Sequence, residues 1–358
     1  YPNPYSGQPV AMPLNLAITD EGMSVLSRFR MPVVSGAVFA QGTLHDVFAD
    51  GLDLTLGLRL DNEHQKLTYV SGVPQVNYNF SMPMIAPANL VSDVLKQGNF
   101  KDNYTRLLPK ASILYNLPEG RGNVYATVSE GMRAGGYNVQ MFSEGMSGVM
   151  RADMMNGTRD YCNELLQGLA DNANTPQLAA MFSGIKQTMN DKMPAVPEAD
   201  IRSTVTYQPE YCWNYELGSH LNLLDGSLMA DFSVFFMDTH NQQLSRFAST
   251  GLGRMMVNAG RSYSCGLEMA LRGNVMNDRL HWNVSYGYTH AEFRRCDLGG
   301  GQDYRGNHVP FIPEHNVGVM ADYTLPLSSS FLKNITFGAD MTGLGRIYWT
   351  EANNIYQD

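Results

Sequence analysis

Leucine occupies every second position from Leu52 to Leu60, while Asp53, Thr55, Gly57, Arg59 and Asp61 fill the odd positions. Alternate side chains of a strand point to opposite faces, so this stretch predicts a β-strand with one leucine face and one polar face. The pattern recurs. Trp213, Tyr215, Leu217, Ser219, Leu221 and Leu223 alternate with Asn214, Glu216, Gly218, His220 and Asn222. Leu228 to Phe236 repeats it against Met229, Asp231 and Ser233, and Cys265 to Leu271 against Gly266, Glu268 and Arg272. Segments 280–289, 316–325 and 335–342 follow the same rule, as do 33–44, 107–117 and 123–131 earlier in the chain. Ten strands are predicted.

The links between them sort by length. Short ones fall at 45–51, 118–122, 224–227, 273–279 and 326–331; they alternate with long ones at about 62–105, 132–212, 238–258 and 290–315. Short turns on one side and long loops on the other are the signature of an outer-membrane β-barrel. A soluble sandwich alternates too, yet has no reason to sort its loops. The expected fold is therefore all-β, an antiparallel transmembrane barrel wall. Residues 1–30 read as an entry segment and 31–358 as barrel, with a long extracellular insert at 139–206. Inside that insert Thr175 and Pro176 predict a helix start ahead of Leu178, Phe182, Ile185 and Met189, a stripe expected to pin the loop to the barrel mouth.

Lipid decides which face is outside. A wall spanning hydrocarbon must close its backbone hydrogen bonds and turn its apolar side outward. The opposite phase would put Arg59 in lipid at about 2–4 kcal/mol near the midplane, with Asp53 and Asp61 beside it. Trp213, Tyr215, Tyr288 and Tyr323, at strand ends, suit interfacial girdles.

Composition agrees. Charged residues are 16% of the 358, with 34 glycines and 19 tyrosines, against about 25% charged in ordinary soluble domains. A net charge of −9 excludes the basic face a nucleic-acid binder needs. No run of 18 or more apolar residues predicts a transmembrane helix. The four cysteines lack zinc or redox spacing. Because the route to the outer membrane is oxidising, a loop disulfide between two of Cys162, Cys212 and Cys296 is expected.

Longer motifs carry a family resemblance. The stretch AVFAQGTLHDVFADGLDLTLGLRLDNE (37–63) and, above all, LLPKASILYNLPEGRGNVYATVSEGMRAGGYN (107–138) resemble the barrel of TonB-dependent outer-membrane receptors. The segments 213–243, 258–271 and 304–323 follow in the family's order. The resemblance implies active import of a scarce solute, a ferric siderophore or haem above others, through a wall embedded in outer-membrane lipid. Its energy would come from a TonB-type coupling complex through a plug domain. Neither plug nor coupling box is visible in this sequence, and ten strands fall short of the 22 of a plugged transporter; a portion of a longer receptor is expected. A passive porin, an outer-membrane adhesin or glycan-binding barrel, and a secreted β-rich binding module are the rival readings.

The resemblance also points to residues. Arg133, Tyr137 and Asn138, in the GMRAGGYN motif, with Gln243 and His308, are the candidate ligand contacts at the extracellular rim, each weighed against a purely structural role. Asp53, Arg59, Asp61, Glu216 and Glu268 are expected to face the lumen and a plug. His308 and His315, which share one loop, could ligate, yet stand beside Pro310 and Pro313 as structural histidines commonly do. No catalytic constellation, cofactor or metal centre is expected, and hence no enzyme.

Overall fold

The computed structural model describes residues 15–22, 24–82, 85–247, 254–296, 303–329 and 331–358. Residues 1–14 of the expected entry segment, and parts of the links at 238–258, 290–315 and 326–331, lie outside the described residues.

Twelve strands form one antiparallel sheet. They are β1 (Asn15–Ile18), β2 (Leu26–Arg30), β3 (Val33–Leu44), β4 (Leu52–Met82), β5 (Ile85–Asn116), β6 (Gly122–Arg133), β7 (Glu210–Leu223), β8 (Leu228–His240), β9 (Gly260–Val275), β10 (Leu280–Cys296), β11 (His315–Pro326) and β12 (Asn334–Leu344). From β4 to β12 each strand lies beside its neighbour in the chain, while β1, β2 and β3 line up end to end along the other edge of β4. All ten predicted strands are present. Two short strands, β1 and β2, come from the segment expected only to lead into the barrel.

Register confirms the phase. Leu44, Leu54, Ile113, Ala126, Leu217, Val234, Leu267 and Tyr288 stand directly opposite one another across seven successive strand pairs. On the other phase Thr43 meets Thr55 at 3.0 Å, Ser112 meets Thr127 at 2.8 Å and Thr324 meets Thr336 at 3.0 Å. Hydroxyl pairs of this kind knit the polar face. Leu56 and Leu58 remain 55% and 48% exposed. An apolar band of this size is stable against lipid rather than water. Among the described residues no helix is long and apolar enough to cross a membrane; the strands do the crossing. At the turn into β6, Gly122 has φ 115°, and a Cβ there would fall 1.9 Å from the His220 carbonyl oxygen. Only glycine lets β6 meet β7 at that corner.

The expected loop 62–105 is a correction. The chain does not leave the sheet after Asp61: β4 and β5 remain paired from Leu52↔Tyr115 to Met82↔Ile85, with irregularities near Val73 and Phe80. The alternation simply changes chemistry. Below, the lumen phase carries Asp53, Arg59 and Asp61; above, the same phase carries Gln65, Leu67, Ser71 and Val73, all buried.

Their cover is the helical insert: α1 (Phe142–Asp171), α2 (Pro176–Lys192) and α3 (Ile201–Val205). Phe142, Met146, Val149, Met150 and Met154 of α1 form one core with Leu67, Val73, Val76, Tyr78 and Val94 of the hairpin. Gly157 permits the approach, since a Cβ there would lie 3.1 Å from the Tyr78 hydroxyl. That hydroxyl donates to the Met154 carbonyl at 3.2 Å. The predicted helix start is found at α2, where Thr175 Oγ1 accepts from the Leu178 amide at 3.3 Å. The stripe of α2 packs on α1, however, and has no buried residue; α1 is the helix that anchors the insert.

A second small core tops β9 and β10. Leu244, Ala259, Ala291, Phe293, Cys296 and Val309 are buried together, under the hairpin formed by Gln243–Phe247 and Arg254–Asn258. None of the four cysteines is in a disulfide, which corrects the expected loop bridge. Cys162 is buried in α1, Cys296 lies in the second core, and Cys212 accepts a hydrogen bond from Thr239 at 3.4 Å.

Candidate functional site: the extracellular mouth

The lumen phase carries a ladder of paired charges. Arg59 Nε donates to Asp61 Oδ1 at 2.5 Å. Asp53, at the turn end, lies 3.0 Å from His45 Nδ1 and accepts from Asn116 at 3.3 Å. The Tyr125 hydroxyl donates to Glu216 at 2.6 Å, and its ring stacks on His220, whose Nδ1 lies 2.8 Å from Asp231. Arg272 closes on the same Asp231 carboxylate, and exposed Glu268 stands in the same recess. Asp53, Arg59, Asp61, Glu216 and Glu268 thus all fall on the polar face, through a phase that follows directly from alternation.

Above this ladder the GMRAGGYN segment crosses the inner face of the hairpin. Gln65 Nε2 donates to the Gly135 carbonyl at 2.7 Å. Gly136 and Tyr137 pair with Tyr207 and Thr206. The Tyr137 hydroxyl donates to Asp102 Oδ2 at 2.5 Å, and Arg202 Nη2 donates to Asp102 Oδ1 at 2.7 Å. The Arg202 guanidinium lies 5.8 Å from the Phe100 ring centre, within cation–π range. Burial first, then the hydrogen bond to Asp102, holds the Tyr137 phenol well above its ordinary range. Burial with the neighbouring Asp102 charge pushes Tyr104 up to about 12. Burial also raises Tyr207, against the opposing pull of Arg133. These phenols stay neutral donors across the working pH range. Among the described residues the buried Tyr104 hydroxyl has no hydrogen-bond partner.

The five candidate rim contacts divide. Arg133 ends β6 on the lumen phase, exposed. Tyr137 shares the aromatic cluster. Asn138 and Gln243 are buried and spent on backbone. Asn138 Nδ2 donates to the Met256 carbonyl at 2.8 Å and its Oδ1 accepts from the Met256 amide at 2.7 Å. Gln243 Nε2 donates to the carbonyls of Ala134 at 2.9 Å and Gln208 at 3.0 Å. Both strap the two small cores together. His308 packs instead against His290 and Tyr348, and His315 stacks on Tyr286, whose hydroxyl lies 2.9 Å from its Nδ1, on the outer phase.

Asp102, Tyr104, Arg202 and Tyr207 were not singled out from sequence. A signal existed for the first two. Extending the 107–117 alternation backwards places residues 102, 104 and 106 on the lumen phase with Lys110 and Ser112. The other two reach the cluster only through the fold of the insert.

The outer phase at this level carries an aromatic girdle. Trp213 stacks on Tyr215, Tyr215 meets Phe236, Phe236 stacks on Tyr263 and Tyr263 meets His290, at centroid distances of 6.5, 6.3, 6.2 and 5.9 Å. Ring belts of this kind sit at the membrane–water interface.

A sheet with an apolar band outside, a charge ladder inside and a capped mouth defines the wall of an outer-membrane β-barrel. A family model described as TonB dependent receptor-like, β-barrel, matches residues 27–358, and the chain belongs to that family. Its members are outer-membrane transporters rather than enzymes. Solved structures similar to it include the ferric yersiniabactin uptake receptor FyuA from Yersinia pestis, at 16% identity and TM-score 0.49, covering 93% of this chain and 46% of that one. The ferric preacinetobactin receptor BauA from Acinetobacter baumannii matches at 12% identity and TM-score 0.46, covering 93% and 47%. The ferric citrate transporter FecA, in its unliganded form, matches at 16% and 0.46, covering 96% and 46%. The chain spans about half the length of these receptors. No curated protein sequence matches it.

Proposed function

We propose that this wall belongs to a TonB-energised importer whose cargo is a large ferric chelate, a siderophore complex or haem. The observation that carries the reading is the mouth: Arg133 stands exposed on the lumen phase, close enough to the Tyr207 phenol to act on it, and the Tyr104 hydroxyl lies against Gly135 two residues on. A guanidinium among aromatic donors suits an anionic, aromatic or hydroxyl-rich metal chelate, which takes charge from the cation and stacking from the rings. The barrel does no covalent chemistry in this scheme. Ligand docks at the rim, and inner-membrane energy delivered by the coupling complex to a plug domain opens the lumen. The similar receptors, named for ferric yersiniabactin, ferric preacinetobactin and ferric citrate, run in the same direction.

The test is binding of a panel of ferric siderophores and haem to the full-length receptor in detergent, followed by intrinsic fluorescence. Saturable quenching by one ferric chelate, weakened in Arg133→Ala, supports the proposal. Absence of binding across the panel, together with steady ion conductance in planar bilayers, would overturn it in favour of a passive porin. Binding only to glycans would favour the adhesin reading.

A further inference from the structure

The link from β10 to β11 brings together three side chains that the rim cluster does not use. After β10 ends, the returning chain first continues the ladder. Phe293 donates to the Asn307 carbonyl at 3.0 Å, and the Val309 amide donates to the Ala291 carbonyl at 3.0 Å. It then leaves at Pro310-Phe311-Ile312-Pro313 and rejoins at Glu314, whose carbonyl accepts from the Thr289 amide at 2.9 Å. Two prolines that cannot donate make the excursion. Its effect is to set His308 and Glu314 on either side of His290, which faces them from β10. One ligand atom from each of His290, His308 and Glu314 lies within 4.8 Å of the other two.

We infer that His290, His308 and Glu314 form a binding site for a divalent transition-metal ion of the zinc type, clipping this loop to the strand. The inference is independent of the cargo proposed above. Two imidazoles and one carboxylate are a zinc donor set, with a fourth position left for water. Tetrahedral ligands about 2.0–2.1 Å from an ion stand roughly 3.4 Å apart. His308 Nδ1 and Glu314 Oε1 are already at 3.6 Å; His290 needs only a small shift to close the triad.

The surroundings are those of a held site rather than a chance meeting on a loop. His290 Nε2 lies 3.3 Å from Glu292 Oε2, the carboxylate–imidazole pairing that orients metal-ligating histidines. The Tyr263 hydroxyl donates to the same Glu292 oxygen at 3.1 Å. His308 is fixed from both sides of its backbone, its amide donating to Asn353 Oδ1 at 2.6 Å and its carbonyl accepting from Asn353 Nδ2 at 3.0 Å. Its ring stacks on Tyr348 at 4.9 Å. All three donors are about a quarter to a third exposed, so an ion has access without leaving the ligands to bulk water.

The site is tested on the full-length receptor in detergent, stripped of metal and titrated with zinc alone. Wild-type protein takes up zinc at this site, and His308→Ala or Glu314→Gln weakens that uptake about tenfold or more, while His281→Ala, on the same strand at the opposite end, leaves it unchanged. Cobalt supplies a second readout. Bound in place of zinc it gives the intense visible band of four-coordinate cobalt, and His308→Cys adds a thiolate charge-transfer band even where His308→Ala loosens the loop. Equal zinc affinity in wild type, His308→Ala and Glu314→Gln overturns the assignment, and so does a cobalt spectrum that remains that of the hydrated ion.

Discussion

The side-chain amide of Asn138 closes a ring with the backbone of Met256, donating at 2.8 Å and accepting at 2.7 Å across 118 residues of chain. One residue thus ties the entry of the helical insert to the hairpin over β9 and β10. Asn138→Ala strands the Met256 amide and carbonyl, each costing about 1–3 kcal/mol if left buried and unpaired. The expected result is local: added protease cuts the 139–206 insert faster on intact cells, while the barrel keeps its heat-modifiable migration. Unchanged cleavage would show that the two caps do not depend on this strap.

The barrel phase makes a sharper contrast between adjacent residues. Leu56→Arg places a charge on the lipid face and costs about 2–4 kcal/mol near the midplane. Thr55→Arg, one position away, enters the polar lumen and should cost little. Urea-dependent folding of the receptor into vesicles measures both, and equal destabilisation would refute the assigned faces.

Much of this was legible because lipid enforces it. Leu52 to Leu60 reads as a strand since one face must be apolar and the other need not be. The rule faded where the partner changed. Above Asp61 the lumen phase turns from Arg59 and Asp61 to Leu67 and Val73, so the alternation persists while its polarity no longer marks inside from outside. Helix α1 was hidden by Gly145, Gly148, Gly157 and Gly168, which weaken helix propensity; of these Gly157 grants close approach to the hairpin, while Gly145 and Gly148 face Ile201 and Ala199. At the mouth, Arg133 ends β6 and Tyr137 is held by Asp102, a partner that lies 35 residues away in the chain. His308 meets His290 and Glu314 only because Pro310 and Pro313 throw the chain out of register, which no local spacing records.

Alkali should loosen the insert before the wall. Tyr104, Tyr137 and Tyr207 hold their protons more tightly folded than unfolded. Their stabilising contribution is complete below about pH 10, the unfolded phenol value. It declines as pH rises through the folded values, about 12 for Tyr104. Protease susceptibility of 139–206 should therefore rise between roughly pH 10 and 12, and Tyr137→Phe should blunt the rise. A flat profile in wild type would contradict this origin.

The cysteines offer a simple count. Four thiols should react with a chromogenic reagent after denaturation without reductant. In the folded receptor Cys162, 1% exposed and raised by burial, and Cys296, 0% exposed, should react slowest. Two thiols after denaturation would mean that a disulfide forms in the cell.

The long pairing of β4 with β5 has a consequence for scale. At about 3.3 Å per residue, a strand of 31 residues reaches on the order of 100 Å, whereas the apolar band it must cross is about 25 Å tall. Most of that length stands clear of the bilayer as a mast with α1 lashed to its inner side. Whatever approaches the cell from outside, whether nutrient, phage or antibody, meets this mast before it meets the pore.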